Sequence, residues 1–277
     1  MKKEKNSWTN SKVFILLAIL FVITQSIGLY VATKLISLNV EAKLFTDDIN
    51  DPINAIYLFL MILVMTGVIL LILKFRKKNN FLWVIEALAV LSTSLIVFSA
   101  IFPTNDILVL ILMLIIFVAR YTHKENLIIK NLVSVIAISG AGAMIGISIG
   151  LVPALMFVFI LAIYDLVAVF KTKHMVALGK AVTKDNFAFT VSMPTKEHKF
   201  ELGNGDLVIP LVVASSVIAT GWFTNNYFVS ALILISSFIG LVISIHIVST
   251  KKIPLPALPP QVLLMILVIL ISTLIRL

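Results

Sequence analysis

Apolar residues occur along this chain in long runs separated by short polar connections. Nine runs are close to the roughly 20 residues that a helix needs to cross a bilayer. They are Val13–Leu35, Ile53–Leu73, Phe81–Phe102, Ile107–Tyr121, Leu127–Ile149, Val152–Phe170, Leu207–Trp222, Tyr227–Val248 and Leu258–Ile275. The pattern predicts an all-α polytopic membrane protein with nine transmembrane helices. We expect one membrane domain over 1–277, with spans one to six in 1–171, a cytoplasmic connecting loop in 172–204, and spans seven to nine in 205–277.

Composition supports this class and excludes several kinds of chemistry. The 277 residues are 60% hydrophobic and 13% charged, which is too little charge for the surface of a soluble domain of this length. There is no cysteine, so disulfides, thiolate metal sites and cysteine nucleophiles are excluded. The four histidines are scattered without the spacing of a zinc protease, and no P-loop is present. No metal and no cofactor are therefore expected.

The net charge of +9 is distributed unevenly between the two sides of the predicted membrane. When the connections are placed on alternate sides, 19 of the 22 Lys and Arg residues fall on one side, and Lys34, Lys43 and Arg276 fall on the other. The positive-inside rule then predicts a cytoplasmic N-terminus and an external C-terminus in the cell membrane. The basic charge is thus a topology signal in contact with the lipid bilayer, and no nucleic-acid partner is expected.

Two further segments carry structural signals. Within the long connection, "NFAFTVSMP" (Asn186 to Pro194) partly alternates and is typical of an exposed strand, although a flexible linker fits it equally well. In the fifth span, Gly142, Gly146 and Gly150 follow each other at intervals of four. This spacing leaves one helix face nearly bare and predicts close packing of a neighbouring helix.

Four acidic residues lie at or inside the predicted spans, where charge is costly and indicates function. Asp106 begins the fourth span and is expected to cap it. Glu86 lies one turn into the third span, where snorkelling or an interhelical role is expected. Asp165 and Asp206 are different, because they lie on consecutive antiparallel spans at a similar predicted depth on the cytoplasmic side.

Three unusual features converge at that depth. Asp165 lies six residues before Lys171, hence roughly 9 Å inside the membrane edge at helical rise. Asp206 follows Gly203 and Gly205, which remove side-chain bulk and permit unusual backbone conformations, so that the chain can dip into the membrane. The segment "IPLPALPPQ" follows Lys252 and cannot be helical throughout, because proline lacks an N–H group. Irregular backbone at this depth predicts a protein-lined or water-filled pocket.

Paired carboxylates in such a pocket suit acid–base chemistry. When two carboxyl groups lie close together, one keeps a proton and the other stays charged, as in an aspartic protease dyad. The alternative is an ion- or proton-coupled transporter or leak channel that uses the same two residues. The outer halves of the predicted spans contain almost no charge, so a cavity open only to the cytoplasm fits hydrolysis better than a pathway across the membrane.

The motif set resembles that of the presenilin and signal peptide peptidase family of intramembrane aspartyl proteases. The matching residues are Tyr164–Asp165 in the sixth span, G-x-G-D (Gly203 to Asp206) before the seventh, and Pro256–Leu258 before the ninth. The resemblance extends over nearly the whole chain in the number of spans and the order of the motifs. One departure is Asn204, where better-known members carry Leu or a similar apolar residue.

The resemblance implies a presenilin-like fold and an aspartic-type endopeptidase that cleaves within or near transmembrane segments. Asp165 and Asp206 would be the catalytic pair, and the pocket would be shaped by Tyr164, Gly203, Gly205, Pro256, Ala257 and Leu258. Partners would be transmembrane-helix protein substrates, with no accessory subunit indicated. By analogy, substrates would be single-span proteins with an external N-terminus, and Phe187–Met193 would pair with substrate as a strand.

Overall fold

The computed structural model describes residues 4–40, 42–75, 80–172, 186–194, 199–251 and 256–277. These residues form nine α-helices and one two-stranded sheet. The helices are α1 (Glu4–Ser37), α2 (Ile53–Phe75), α3 (Asn80–Ile101), α4 (Asp106–Thr122), α5 (Leu127–Ser148), α6 (Leu151–Val167), α7 (Gly205–Thr220), α8 (Asn226–Lys251) and α9 (Leu258–Leu274). A π-helical turn, Ala168–Thr172, continues α6. Strands β1 (Thr190–Pro194) and β2 (Lys199–Gly203) precede α7. The predicted number and order of helices are confirmed.

Helix length divides the described helices into groups. Helices α1, α3, α5 and α8, and α6 together with part of its π turn (Leu151–Phe170), are long and apolar enough to cross a membrane, whereas α2, α7 and α9 include shorter apolar stretches. Helix α7 has 16 residues, which is about 24 Å at helical rise and less than the roughly 30 Å of a hydrocarbon core. A helix of this length begins inside the core when its far end reaches the opposite interface. That agrees with the predicted dip before Asp206.

The glycine face of α5 packs on α7 over part of its predicted length. A Cβ atom added at Gly146 would lie 2.5 Å from the Cβ of Ser215, and one at Gly142 would lie 2.6 Å from a methyl of Leu211. Gly150 does not belong to this face, because α5 ends at Ser148 and Gly150 is the N-cap of α6. The close approach of the two helices places α7 in the centre of the main apolar core.

The connection before α7 contains a hairpin, which confirms the strand and excludes a linker for the residues described there. Strands β1 and β2 are antiparallel, with Val191 opposite Leu202 and Met193 opposite Phe200. The prediction of an exposed strand was wrong, because four of the five residues of β1 are buried. Its predicted bounds also differ, since Phe187–Phe189 lie before the strand. Apolar side chains of the hairpin join the main core instead of facing water.

Several polar residues differ from the sequence prediction in their burial or in their role at a helix end. Arg120 and Lys130, which were counted among the connection charges, are helical and fully buried. Asn105, rather than Asp106, caps α4, since its side chain accepts a hydrogen bond from the Leu108 N–H at 3.1 Å. Glu86 is 1% exposed, so it does not snorkel, and it makes the interhelical contact that was the other expectation.

Candidate active site

Asp165 lies in the last turn of α6, between the apolar core and the outer surface of the helix bundle. Its neighbours Leu161 and Ala162 are buried, whereas Ile163 and Leu166 are exposed. Tyr164 is partly buried and packs edge-on against Phe59 of α2, with ring centroids 5.7 Å apart. The π turn Ala168–Thr172 begins three residues after Asp165. Such turns are rare and occur often at functional sites.

Asp206 is the second residue of α7 and directly follows the hairpin. Neither Gly203 nor Gly205 has a positive φ angle, so the unusual backbone conformations that glycine permits are not used at these two positions. Their small size is the relevant property. Among the described residues, a Cβ added at Gly205 would meet no atom within 4 Å, and one at Gly203 would meet only the Oδ2 atom of Asp206 at 3.8 Å. The glycines thus leave open space beside the Asp206 carboxyl group.

Three helix ends meet at the two carboxyl groups. Asp206 lies close enough to Asp165 for the two side chains to interact electrostatically. The backbone N–H of Leu258, the first residue of α9, donates to Oδ2 of Asp165 over 3.4 Å, at the long end of hydrogen-bond range. Pro259 and Pro260 have no N–H group. Leu258 therefore supplies the only backbone donor among the first three residues of α9, and that donor faces Asp165.

The segment Pro256–Leu258 is held by a residue that the sequence analysis did not single out. Gln261 is completely buried, accepts a hydrogen bond from Ser237 at 2.7 Å and donates to the Ala257 carbonyl at 3.3 Å. Gly240 lets the backbone of α9 approach, since a Cβ there would lie 2.7 Å from Gln261 backbone atoms. Pro254, which the sequence analysis placed with this segment, lies outside the described residues.

A second unpredicted contact supports α7. Gln25 of α1 is 3% exposed and donates to the Leu207 carbonyl at 2.9 Å, one residue after Asp206. A buried glutamine in an apolar helix is the sequence signal for such a contact, but the sequence alone does not say which helix it faces. Within the described residues, no group of His, Asp and Glu side chains forms a possible metal site.

These features define a class: a polytopic helical membrane protein with two carboxyl groups brought together where three helices end. The profile of the family described as "Signal-peptide peptidase, presenilin aspartyl protease" matches residues 18–275. The chain belongs to this family, which acts on transmembrane substrates. Membership confirms the prediction of an integral membrane protein and of an aspartic-type endopeptidase.

Solved structures support the same fold. A presenilin family intramembrane aspartate protease crystallised in space group C222 has a TM-score of 0.72 and 21% identity, covering 95% of this chain and 99% of that one. A structure of such a protease in space group P2 gives a TM-score of 0.66 and 21% identity, with coverage of 93% and 96%. The presenilin-like fold is thus confirmed. The search of curated proteins found no match.

Proposed function

We propose that this protein hydrolyses peptide bonds in transmembrane segments of other proteins, with Asp165 and Asp206 as the catalytic pair. The observation that supports this most is the meeting of α6, α7 and α9. It brings Asp165, Asp206 and the Leu258 N–H into one region, beside the space that Gly203 and Gly205 leave open among the described residues. A substrate backbone and a water molecule need that space.

The proposed reaction uses one proton shared by the two carboxyl groups. The ionised carboxylate takes a proton from water while the water oxygen forms a bond to the scissile carbonyl carbon. The protonated member donates to the carbonyl oxygen, which gains the negative charge. The C–N bond then breaks as the amide nitrogen accepts a proton, and the pair returns to its shared-proton state. No assignment of acid and base to individual residues is needed, because coupled groups titrate as a unit.

The free edge of the hairpin is the proposed place for an extended substrate segment. On β1 the outward edge is already occupied, since the Asn131 side chain bonds to both the N–H and the C=O of Ser192 at 2.8 Å each. Ser134 donates to the Thr190 carbonyl at 3.2 Å. Backbone groups in an antiparallel ladder alternate in direction, so Glu201, opposite Ser192, points its N–H and C=O away from β1. We therefore place substrate pairing at β2, not at the predicted Phe187–Met193.

The proposed topology follows from charge. Even without the buried Arg120 and Lys130, the Lys and Arg residues of the connections strongly favour one side. The proposal thus keeps a cytoplasmic N-terminus, an external C-terminus and cleavage near the cytoplasmic face of single-span substrates with an external N-terminus.

Hydrolysis of a single-span reporter by the purified protein in liposomes tests this function. Asp165→Asn and Asp206→Asn are each expected to abolish cleavage, because an amide neither accepts the water proton nor shares one. Asp106→Asn is the matched control, since Asp106 is exposed at the start of α4 and should leave cleavage unchanged. Wild-type rates in either of the first two variants, or ion flux through the liposomes without cleavage, would contradict the proposal.

A further inference from the structure

A buried ion pair lies outside the carboxylate pair and has no part in the proposed chemistry. Glu86 of α3 and Arg120 of α4 approach to 2.7 Å, with side-chain exposures of 1% and 0%. Taking two charges out of water carries a penalty that their attraction offsets only with excellent geometry and additional hydrogen bonds. Glu86 and Arg120 also make hydrogen bonds outside the pair, and these identify the segment that the pair holds.

Both members of the pair bind the backbone that leads into the hairpin. Arg120 donates to the Asn186 carbonyl at 2.6 Å, and Glu86 accepts from the Ala188 N–H at 3.0 Å. The residue between them, Phe187, is completely buried and packs against Trp83 with ring centroids 4.8 Å apart. The ion pair therefore fixes the backbone on both sides of Phe187, just before β1 begins.

The backbone and the side chain of Asn186 both contribute to this contact. It has a φ angle of 56°, in the left-handed region where Asn is better tolerated than most residues. Its side-chain amide donates to the Lys124 carbonyl at 2.8 Å, and Arg120 donates to the same carbonyl at 2.9 Å. The end of α4 and the start of the hairpin segment thus share one polar cluster.

Asn204 connects the same segment to α7, the helix that carries Asp206. Its side-chain amide donates to the Ala188 carbonyl at 2.8 Å, and its backbone N–H donates to the Phe189 carbonyl at 3.0 Å. Asn204 is the N-cap of α7 and lies two residues before Asp206. It is also the position at which the G-x-G-D motif departs from the apolar residue of better-known members. The departure has a structural reason here, because an apolar side chain cannot donate to Ala188.

Hydrogen bonds therefore connect Arg120 to Glu86, Glu86 to the N–H of Ala188, and the C=O of Ala188 to Asn204. Helix α5 holds the other side of the hairpin through the bonds of Asn131 and Ser134, and Lys130 lies 3.4 Å from Glu201 of β2. Apart from the Arg120–Glu86 pair itself, these contacts end on the segment just before β1, on the hairpin or on the N-cap residue of α7. A displacement of the hairpin would move both the edge of β2 and Asp206.

We propose that Glu86, Arg120 and Asn204 are positioning residues that fix the hairpin and the start of α7, and so determine where the substrate is cut. The effect on cleavage rests on the proposed proteolytic function, whereas the anchoring of the hairpin does not. The two parts are measured separately.

Anchoring is measured by amide hydrogen exchange of the purified protein in lipid nanodiscs. Glu86→Gln keeps an acceptor oxygen but removes the charge, and Asn204→Leu keeps the bulk but removes the bond to Ala188. Exchange in residues 186–194 is expected to become at least about tenfold faster in both variants, because a neutral Gln acceptor bonds Arg120 and the Ala188 N–H more weakly than a carboxylate does and Asn204→Leu loses its bond to Ala188. Asp47→Asn is the matched control, since it removes an exposed ion pair with Lys43.

Positioning is measured on the same variants by mapping the cut sites in a single-span reporter. We expect a broader or shifted set of cut sites and a fall in kcat of about tenfold, with KM changed by less than about twofold. A purely structural role would lower the amount of folded enzyme without moving the cut site. Asn204→Leu keeps the test valid if Glu86→Gln fails to fold.

The outcomes separate the two parts of the proposal. Wild-type exchange in both variants overturns the anchor. Faster exchange with unchanged cut sites and unchanged kcat overturns the positioning role while leaving the anchor in place. If the wild-type protein does not cleave the reporter at all, the proposed function and the positioning role fail together, and exchange still decides the anchor.

Discussion

The two helices that carry the paired carboxylates are held very differently. Helix α7 is buried over most of its length, packs on α1, α5 and α8, and begins at a residue anchored by hydrogen bonds. Helix α6 has an exposed apolar face around Asp165, including Ile163 at 49% and Val167 at 44% exposure. Its neighbour α2 is itself largely exposed, and the two meet through few buried side chains.

This difference teaches how a rigid site can still admit a substrate. Preorganised groups are effective when surrounding contacts lock them in place, and α7 with its hairpin provides such a fixed wall. Movement on the µs–ms timescale comes from elements with few buried contacts. The contacts therefore hold Asp206 more tightly than Asp165, and α6 with α2 forms the less tightly packed side of the site.

The largest effect is expected from a substitution at Gly146, where α5 packs closely on α7. In Gly146→Ala the new Cβ would lie 2.5 Å from the Cβ of Ser215 and 2.7 Å from the Val212 carbonyl oxygen. Because the second atom belongs to the backbone, α5 and α7 must separate, and we expect a loss of about 1–3 kcal/mol in stability together with reduced cleavage. Thermal unfolding in detergent measures the first effect and reporter hydrolysis the second.

Gly67 of α2 provides the matched control on the less tightly packed side, which α6 and α2 form. Among the residues that the structure describes, a Cβ added there would meet no atom within 4 Å. Gly67→Ala is expected to be neutral or to stabilise the helix by up to about 1 kcal/mol, since alanine favours helix over glycine. Equal destabilisation by the two substitutions would contradict the contrast between the tightly packed α5–α7 contact and the less tightly packed side that α6 and α2 form.

A smaller effect on stability and cleavage is expected at α9, the third helix that contributes to the site. Gln261→Leu removes the bond to the Ala257 carbonyl and leaves the Ser237 hydroxyl without its partner, which costs about 1 kcal/mol or somewhat more. The start of α9 should become less well placed beside Asp165, so kcat should fall more than KM rises. Thr273→Val, which removes a hydrogen bond at the far end of α9, should change stability slightly and leave kcat unchanged. Equal kcat values for both variants would contradict a role of Gln261 in placing this segment.

Much of the fold was predictable because the apolar runs are long and their connections are polar. The positions of Asp165, Asp206 and Leu258 were predictable as well, since charge and proline in apolar surroundings are rare and conspicuous. Their close approach followed from the antiparallel order of α6 and α7.

The contacts that hold the site were not predictable. Gln25, Glu86 and Gln261 lie within mainly apolar stretches of their helices, where periodicity does not say which neighbour each one faces. Arg120 and Lys130 lie close to helix ends, where the sequence cannot distinguish a charge in solvent from one buried under a hairpin. Buried β1 was mistaken for an exposed strand because its partner, β2, gave too short a signal.

Cross-linking of a cysteine pair tests most directly whether Asp165 and Asp206 meet. The chain has no native cysteine, so the double variant Asp165→Cys, Asp206→Cys carries the only two thiols. A disulfide or a link through a short bifunctional thiol reagent is expected in membranes under mild oxidation, as for the control pair Val191→Cys, Leu202→Cys, which lie opposite each other in the hairpin. Cross-linking of the control pair without any link between positions 165 and 206 would contradict the paired site on which the account rests.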